Sequence, residues 1–236
     1  EIDSRKGLFK ICLIGYTNAG KSTLLNTLTD AGVFVEDRLF ATLDTRTRKW
    51  TLGRGAEVLL SDTVGFLKSL PHQLIASFKA TLEEAINADL LLHIVDVSNP
   101  DALGQIESVD KVLAEIGCAE RPVLLVLNKV DIVKKVSDLE MLQTLNPEAV
   151  CISAKTGLGL EQLTESVSAR HKGAIVLLRV SSSQSDGRIQ GFLRAYGEII
   201  EEQYRDGFVE IEATLGRNQL AGLKRLHPEN IEIVEA

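Results

Sequence analysis

The sequence predicts an α/β protein with a mostly parallel sheet flanked by helices, plus a small C-terminal α+β domain. Three observations predict this fold class. Near-continuous apolar runs, such as residues 90–95 and 123–127, are typical of buried parallel strands. Amphipathic helical patterns separate these runs, as expected for helices that cover both faces of such a sheet. The pattern starts again near residue 172, so we expect domains at residues 1–172 and 173–236.

Each element of the first domain has its own local signal. Leucines at helical spacing follow a glycine-rich turn, and Gly32 is expected to end that helix. Two short strands on either side of residues 53–55 predict a hairpin. The predicted strands are residues 8–14, 46–52, 56–60, 90–95, 123–127 and 149–152. The further predicted helices are residues 73–87, 103–116, 136–145 and 160–169.

The second domain mixes strands and helices within about 60 residues, near the lower size limit for an independent core. Apolar residues at helical spacing predict one long helix that includes Ile189, Tyr196 and Ile200. Alternation of apolar and acidic residues predicts a half-buried strand at residues 208–214. The other predicted elements are strands 174–180 and 231–234, with a short helix around Leu220 and Leu223 between the last two strands.

Charge and composition exclude several classes of protein. The 236 residues contain 26 Lys and Arg against 33 Asp and Glu, and aromatic residues are only 5%. Coating of nucleic acids depends on basic residues and stacking on aromatic ones, so we expect no sequence-specific DNA binding. Apolar runs are too short to cross a bilayer. Cys12, Cys118 and Cys151 lack metal-ligand spacing, which favours reduced thiols in a cytoplasmic protein. Cys12 and Cys151 lie in apolar runs and are expected in the core. We expect a monomer.

The strongest motif is the stretch GYTNAGKS at residues 15–22, which matches the phosphate-binding loop (P-loop) between a strand and a helix. A glycine-rich turn lets backbone N–H groups converge on phosphate oxygens at a helix N-terminus. Lys21 supplies a point charge for the β- and γ-phosphates, and the Ser22 hydroxyl is a ligand for Mg²⁺. The alternative is a chance match to the pattern, and the position of the motif between a strand and a helix argues against it.

A second motif, DTVG at residues 62–65, follows a predicted apolar strand. The Asp62 carboxylate at the strand end can hold Mg²⁺ through water, and the Gly65 N–H can turn towards a γ-phosphate. A lone Asp at such a position is usually a loop start or a helix cap. After a P-loop, the nucleotide interpretation is the better one.

The third and fourth motifs indicate the base. In NKVD at residues 128–131, Asp131 can accept both guanine N1–H and the exocyclic amino group, which adenine does not offer. Asn128 would tie this site to the P-loop, and the Lys129 stem can cover the ring. In SAKTG at residues 153–157, the Ala154 N–H could donate to guanine O6. The predicted nucleotide contacts are Asn18, Ala19, Gly20, Lys21, Ser22, Thr23, Asp62, Gly65, Asn128, Lys129, Asp131, Ser153, Ala154 and Lys155.

The segment between the first helix and the hairpin is expected to sense the ligand. One threonine there must reach Mg²⁺ with its hydroxyl and the γ-phosphate with its backbone. We assign Thr42, with Thr45 and Thr47 as alternatives. The predicted metal ligands are therefore Ser22, Thr42 and Asp62. The predicted catalytic residues are Lys21, Thr42 and Gly65.

These motifs resemble the HflX family in the Era/Obg/TrmE-like branch of P-loop GTPases. The resemblance rests on GYTNAGKSTLLN, LFATLD, DTVGFLKSLPHQL and ATLEEAINADLLLHIVDVS. It implies a P-loop GTPase domain that uses GTP, GDP and Mg²⁺. It also implies the large ribosomal subunit as partner, since full-length members of the family bind this subunit and split ribosomes. The family has an N-terminal domain and a helical linker, and the resemblance implies that both are missing from a chain that begins at Glu1. The family's Asp-Pro-Thr in the switch is here Asp44-Thr45-Arg46.

The water-positioning group stays open at the level of sequence. Ras-like GTPases have Gln after the Asp-x-x-Gly motif, whereas this chain has Phe66, which cannot hydrogen-bond to water. The candidates are the backbone of Thr42 and Gly65, a partner surface, His72, or a K⁺ ion near Asn18, which resembles the Asn that supports K⁺ in related GTPases. We expect slow hydrolysis of GTP by the chain alone. The alternatives are a binding switch with negligible catalysis and a related GTPase of tRNA modification.

Overall fold

The computed structural model of the chain describes residues 8–29, 46–52, 55–62 and 83–234. The chain divides into two compact units, residues 10–166 and residues 167–236 together with residues 1–9. The division falls inside a helix, whereas the sequence predicted a boundary at residue 172. Each unit has its own β-sheet.

The first unit is built around a six-stranded sheet in the order β2-β3-β1-β4-β5-β6. Its strands are β1 (Phe9–Ile14), β2 (Arg46–Thr51), β3 (Glu57–Asp62), β4 (Leu90–Asp96), β5 (Val123–Asn128) and β6 (Val150–Cys151). Strand β4 pairs in parallel with both β1 and β5, and β5 pairs in parallel with β6. Strands β2 and β3 form the predicted antiparallel hairpin. The prediction of a mostly parallel sheet is confirmed.

Helices pack on this sheet through buried apolar side chains. They are α1 (Lys21–Leu28), α2 (Ala102–Glu115) and α3 (Val136–Leu145). The division between the units falls inside the next helix, α4 (Leu160–Gly173). Helix α2 contributes to two apolar clusters. Its Val109 and Leu113 pack with residues that include Cys12 and Leu91. Its first turns pack with residues that include Val95 and Leu127. Most of the predicted helix 73–87 lies outside the described residues, as does Gly32, and residues 83–86 are helical.

The second unit has a four-stranded antiparallel sheet in the order β10-β7-β9-β8. Its elements are β7 (Ile175–Ser183), α5 (Gly187–Tyr196), β8 (Gly197–Arg205), β9 (Phe208–Gly216), α6 (Leu220–Lys224) and β10 (Asn230–Val234). Buried residues alternate along β9, where Val209, Ile211, Ala213 and Leu215 join the core with Leu193 of α5. The α+β prediction for this region is therefore confirmed.

The predicted long helix in this unit is wrong at its C-terminal end. Helix α5 stops at Tyr196, because Gly197 is extended (φ −141°, ψ −166°) and begins strand β8. A Cβ at Gly197 would lie 2.3 Å from the Thr214 carbonyl oxygen, so glycine allows β8 to approach β9. Ile199 and Ile200 belong to β8. The prediction placed them in the helix because their spacing from the preceding apolar residues also fits a helical period.

The cysteines follow the prediction only in part. All three are free thiols, and Cys12 and Cys118 are buried. Cys151, predicted as a core residue, is only half-buried, since it lies in the two-residue edge strand β6. In the part of the chain that the structure describes, none of the helices combines the length and the apolar character needed to cross a membrane.

Candidate nucleotide-binding site

The P-loop joins the end of β1 to the start of α1, and glycine is required at both of its ends. Gly15 has φ +141°, and a Cβ there would lie 2.2 Å from the carbonyl oxygen of Ile94 on β4. Gly20 has φ +100°, and its Cβ would lie 2.2 Å from Nδ2 of Asn128. Between them, Asn18 takes a left-handed conformation (φ +62°) and its side chain is exposed. The loop is thus packed against two neighbouring strands.

Lys21 is buried beneath this loop. Its Nζ donates to the carbonyl oxygens of Gly15 (3.1 Å) and Tyr16 (2.9 Å). Burial lowers the pKa of the Lys21 ammonium from 10.5 to about 8, although the attraction of Asp62 raises it. His93 on β4 is also buried, and this burial together with the charge of Lys21 lowers its pKa to about 4. His93 is therefore neutral near pH 7, and among the buried side chains that the structure describes here the positive charge is on Lys21.

Ser22 and Asp62 bring two oxygen atoms together beside Lys21. The Ser22 Oγ donates to Asp62 Oδ2 over 2.6 Å, and Asp62 is the fully buried last residue of β3. A hydroxyl and a carboxylate are ligands that suit Mg²⁺, which also takes ligands from water and substrate phosphates. This donor set therefore fits the predicted metal, and the hydrogen bond fixes both oxygens in one place. Thr42, the third predicted ligand, lies outside the described residues.

Asn128 joins the two sides of the site, as the sequence predicted. It is the last residue of β5 and only 2% exposed. Its Nδ2 donates to the Ala19 carbonyl oxygen in the P-loop over 2.7 Å. Its Oδ1 accepts from the Ala154 N–H over 2.9 Å. The Ala154 N–H, which we expected to meet guanine O6, is therefore bonded to Asn128 in this structure.

Two further residues support the loop after β6. Thr27 of α1 donates through Oγ1 to the Ala154 carbonyl oxygen over 3.0 Å, a contact that the sequence did not indicate. Ser153 is fully buried, and its Oγ accepts from the Thr156 N–H over 3.2 Å. Lys155 is exposed, whereas Thr23, at the start of α1, is half-buried. Of the predicted contacts, Ser153 and Ala154 are thus buried and Thr23 is half-buried, and the Thr27 hydrogen bond ties the loop after β6 to α1.

The turn after β5 carries the residues predicted for the base. Lys129 is left-handed (φ +68°), and Asp131 lies exposed in a 3₁₀ turn that spans Val130–Ile132. The Nζ of Lys129 forms an ion pair with Oδ2 of Asp96 at 2.6 Å. Sequence reasoning missed Asp96, although its place as the last residue of a buried strand was the signal that singled out Asp62 and Asn128.

The structure thus brings the P-loop, Asp62, Asn128 and the loop after β6 to one edge of the sheet. Gly65, Phe66 and His72, like Thr42, fall outside the described residues, so their predicted roles stay predictions.

Comparison with known proteins identifies the family of the chain. Residues 10–129 match the family model described as 50S ribosome-binding GTPase, which covers just over half of the chain. The chain belongs to this GTPase family.

Curated relatives of this chain include HflX GTPases of several bacteria, which confirms the resemblance drawn from the motifs. GTPase HflX of Caldanaerobacter subterraneus subsp. tengcongensis is 42% identical over 203 residues, which are 86% of this chain and 46% of the relative. GTPase HflX of Escherichia coli is 39% identical over 209 residues, which are 87% and 49%. The chain thus spans about half the length of the curated relatives it matches.

A solved structure supports the fold of this HflX-family chain. A GTP-binding protein from the archaeon Sulfolobus solfataricus, in complex with GDP, has a TM-score of 0.57 and 27% identity. The match covers 70% of this chain and 53% of that one. The predicted P-loop GTPase fold is therefore confirmed.

Proposed function

We propose that this chain binds GTP and GDP with Mg²⁺ and hydrolyses GTP to GDP and phosphate. The observation that carries the proposal is the pair of hydrogen bonds that the Asn128 side chain makes, one donated to Ala19 and one accepted from Ala154, which link the P-loop to the loop after β6. The two bonds hold a phosphate-binding loop and a base-binding loop at a fixed separation. A site preorganised in this way binds a nucleotide with little further ordering.

On the phosphate side, Lys21 is the main cation. The carbonyl oxygens of Gly15 and Tyr16 orient its ammonium, and burial makes the charge costly until phosphate oxygens surround it. The N-terminus of α1 adds its dipole and backbone N–H groups. The contact of Lys21 with β- and γ-phosphate oxygens stabilises the charge that develops during transfer.

On the metal side, Ser22, Asp62 and Thr42 are the proposed ligands, with Asp62 acting through water. When bound, Mg²⁺ neutralises phosphate charge and orients the transferred group. The Ser22 hydroxyl and the Asp62 carboxylate are already held together at 2.6 Å, so little reorganisation is needed. The proposal for Gly65 is a backbone N–H on the γ-phosphate.

On the base side, the Asp131 carboxylate is the proposed acceptor for guanine N1–H and the exocyclic amino group. Asp131 is exposed, and adenine would leave this carboxylate without a partner. The Lys129 stem is proposed to cover the ring. For guanine O6, the Ala154 N–H must share its hydrogen bond with Asn128 or exchange it.

Water positioning is proposed to involve the backbone of Thr42 and Gly65, with a K⁺ ion near Asn18 in place of an arginine. The exposed side chain of Asn18 supports this role, because an ion in the solvent can reach it. Hydrolysis of GTP compared in K⁺ and Na⁺ at equal ionic strength tests the ion. Faster turnover in K⁺ is expected, and equal rates would contradict it.

The large ribosomal subunit is the proposed partner, since the matching family model carries that name. The experiment is GTP hydrolysis by this chain alone and with purified large subunits, with Lys21→Met as the control for contaminating activity. We expect slow turnover alone and faster turnover with subunits. Single-turnover rates that stay at the control level in both conditions would favour a binding switch instead. A cytoplasmic location and a monomeric state remain predictions.

A further inference from the structure

The carboxylate of Asp96 is fixed at the end of β4, beside the residues proposed for the base. The strand register pairs Asp96 with Asn128 of β5. Its Oδ1 accepts from the Ser98 N–H (3.0 Å) and the Ser98 Oγ–H (2.5 Å), and its Oδ2 faces Lys129 Nζ at 2.6 Å. Both carboxylate oxygens are therefore occupied, and the side chain has one orientation.

Lys129 needs such an anchor. Its left-handed backbone (φ +68°) is unfavourable for a residue with a Cβ, and a free lysine side chain has many rotamers. The ion pair is partly shielded from water, with exposed fractions of 30% for Lys129 and 17% for Asp96. Charge-assisted hydrogen bonds at this distance are strong when water is partly excluded. Asp96 therefore holds the ammonium at the end of β4, while the Lys129 backbone follows the end of β5.

The pair also decides which charge remains available at the site. The Asp131 carboxylate lies two residues after Lys129 and makes no hydrogen bond or ion pair with any of the residues that the structure describes. Without Asp96, the nearest acidic partner along the chain for the Lys129 ammonium would be Asp131 itself. An ammonium on Asp131 would compete with the N–H donors of a guanine base.

We propose that Asp96 is a positioning residue for the base: it holds the Lys129 ammonium away from Asp131, so that the Asp131 carboxylate stays open to guanine and the Lys129 stem stays in place to cover the ring. This inference rests on the proposed binding of guanine nucleotides. Asp96 acts through Lys129 and does not itself touch the nucleotide.

The test is a double-mutant cycle of GDP affinity, measured by titration calorimetry with Mg²⁺ on the whole chain. Asp96→Asn keeps the shape of the side chain and removes its charge, and we expect GDP binding to weaken about tenfold. In the Lys129→Met background the same change should have no further effect. If the losses of GDP affinity in the two single variants simply add in the double variant, the proposal is overturned. A GDP affinity of Asp96→Asn within twofold of the parent would also overturn it.

Matched controls separate positioning from a general loss of structure. Glu57→Gln breaks an ion pair of similar length with Lys49 (2.8 Å), at a more exposed position, and GDP affinity should not change. Tripolyphosphate, which has no base, should bind the Asp96→Asn variant as it binds the parent protein. A parallel loss of tripolyphosphate binding would overturn the proposal, because it would show that the P-loop had also changed.

Ser98→Ala provides an independent variant that leaves both charges in place. It removes one hydrogen bond to Asp96 Oδ1 from an exposed residue, so folding is preserved and GDP binding should weaken about threefold. Unchanged affinity would contradict the positioning role of this carboxylate. If the parent chain binds no GDP, the proposed function fails; if it binds GDP and the Asp96 and Ser98 variants match it, only this inference fails.

Discussion

We predict that Asn128→Ala strongly destabilises the first unit, because it removes both hydrogen bonds that connect the two loops of the site. The Asn128 side chain is 2% exposed and makes two hydrogen bonds, to the Ala19 carbonyl oxygen and from the Ala154 N–H. Ala19 and Ala154 are themselves buried, with exposed fractions of 1% and 2%. The substitution therefore leaves one buried acceptor and one buried donor without these partners.

The magnitude follows from those two groups. A buried polar group that loses its partner costs about 1–3 kcal/mol, so the two together cost about 2–6 kcal/mol of unfolding free energy. This is a large share of the roughly 5–15 kcal/mol that stabilises a typical domain. Asn128→Asp should be destabilised as well, because an oxygen would then face the Ala19 carbonyl oxygen in place of the Nδ2 donor.

Urea unfolding followed by tryptophan fluorescence is the assay. The chain has one tryptophan, and Trp50 is 3% exposed in β2, so its emission follows the six-stranded unit rather than the C-terminal one. The control is Asn87→Ala, which removes one exposed hydrogen bond to the Glu83 carbonyl oxygen and should change stability by less than about 0.5 kcal/mol. A loss below about 1 kcal/mol for Asn128→Ala would refute the reasoning.

Three other predictions concern the same site. Gly20→Ala should abolish detectable GDP binding, because its Cβ would meet Asn128 Nδ2 at 2.2 Å and its φ is +100°; calorimetry with parent-like affinity would contradict this. The folded protein holds the pKa of Lys21 at about 8, below its ordinary 10.5. The unfolded chain therefore binds more protons between these values, and stability relative to Lys21→Met should rise from pH 8 to 10.5 by about 3 kcal/mol at most. A flat difference in urea unfolding across that range would argue against the burial of a charged Lys21. Asp131→Asn should weaken GDP binding about 100-fold or more while thermal unfolding stays unchanged, since the residue is exposed; retained GDP affinity would remove Asp131 from the base site.

The sequence predicted the first unit well because its signals are local and its geometry is general. Apolar runs identify parallel strands, and the carboxyl ends of neighbouring parallel strands meet at one edge of a sheet. Asp62 and Asn128 could therefore be placed in one site before any coordinates. The contact of Asn128 with the P-loop was predicted from its place in the NKVD motif, and the structure has this hydrogen bond.

Other features depend on packing that spacing alone does not reveal. Ile199 and Ile200 fit a helical period as well as a strand, and the close approach of Gly197 to β9 decides between the two. The hydrogen bond from the Ala154 N–H to Asn128 and the ion pair of Lys129 depend on loop conformations between different strands. Such contacts join residues 26 and 33 positions apart, which no local pattern encodes.

The most direct test of the account is a parallel calorimetric titration of the chain with Mg²⁺-GDP and Mg²⁺-ADP. In the proposed site, Asp131 accepts from two guanine N–H groups that adenine lacks, while Lys21 and the P-loop contact the phosphates that both nucleotides share. We therefore predict that GDP binds and that ADP binds at least about 100-fold more weakly. Equal affinities, or the absence of GDP binding, would contradict the central claim that this site is built for guanine nucleotides.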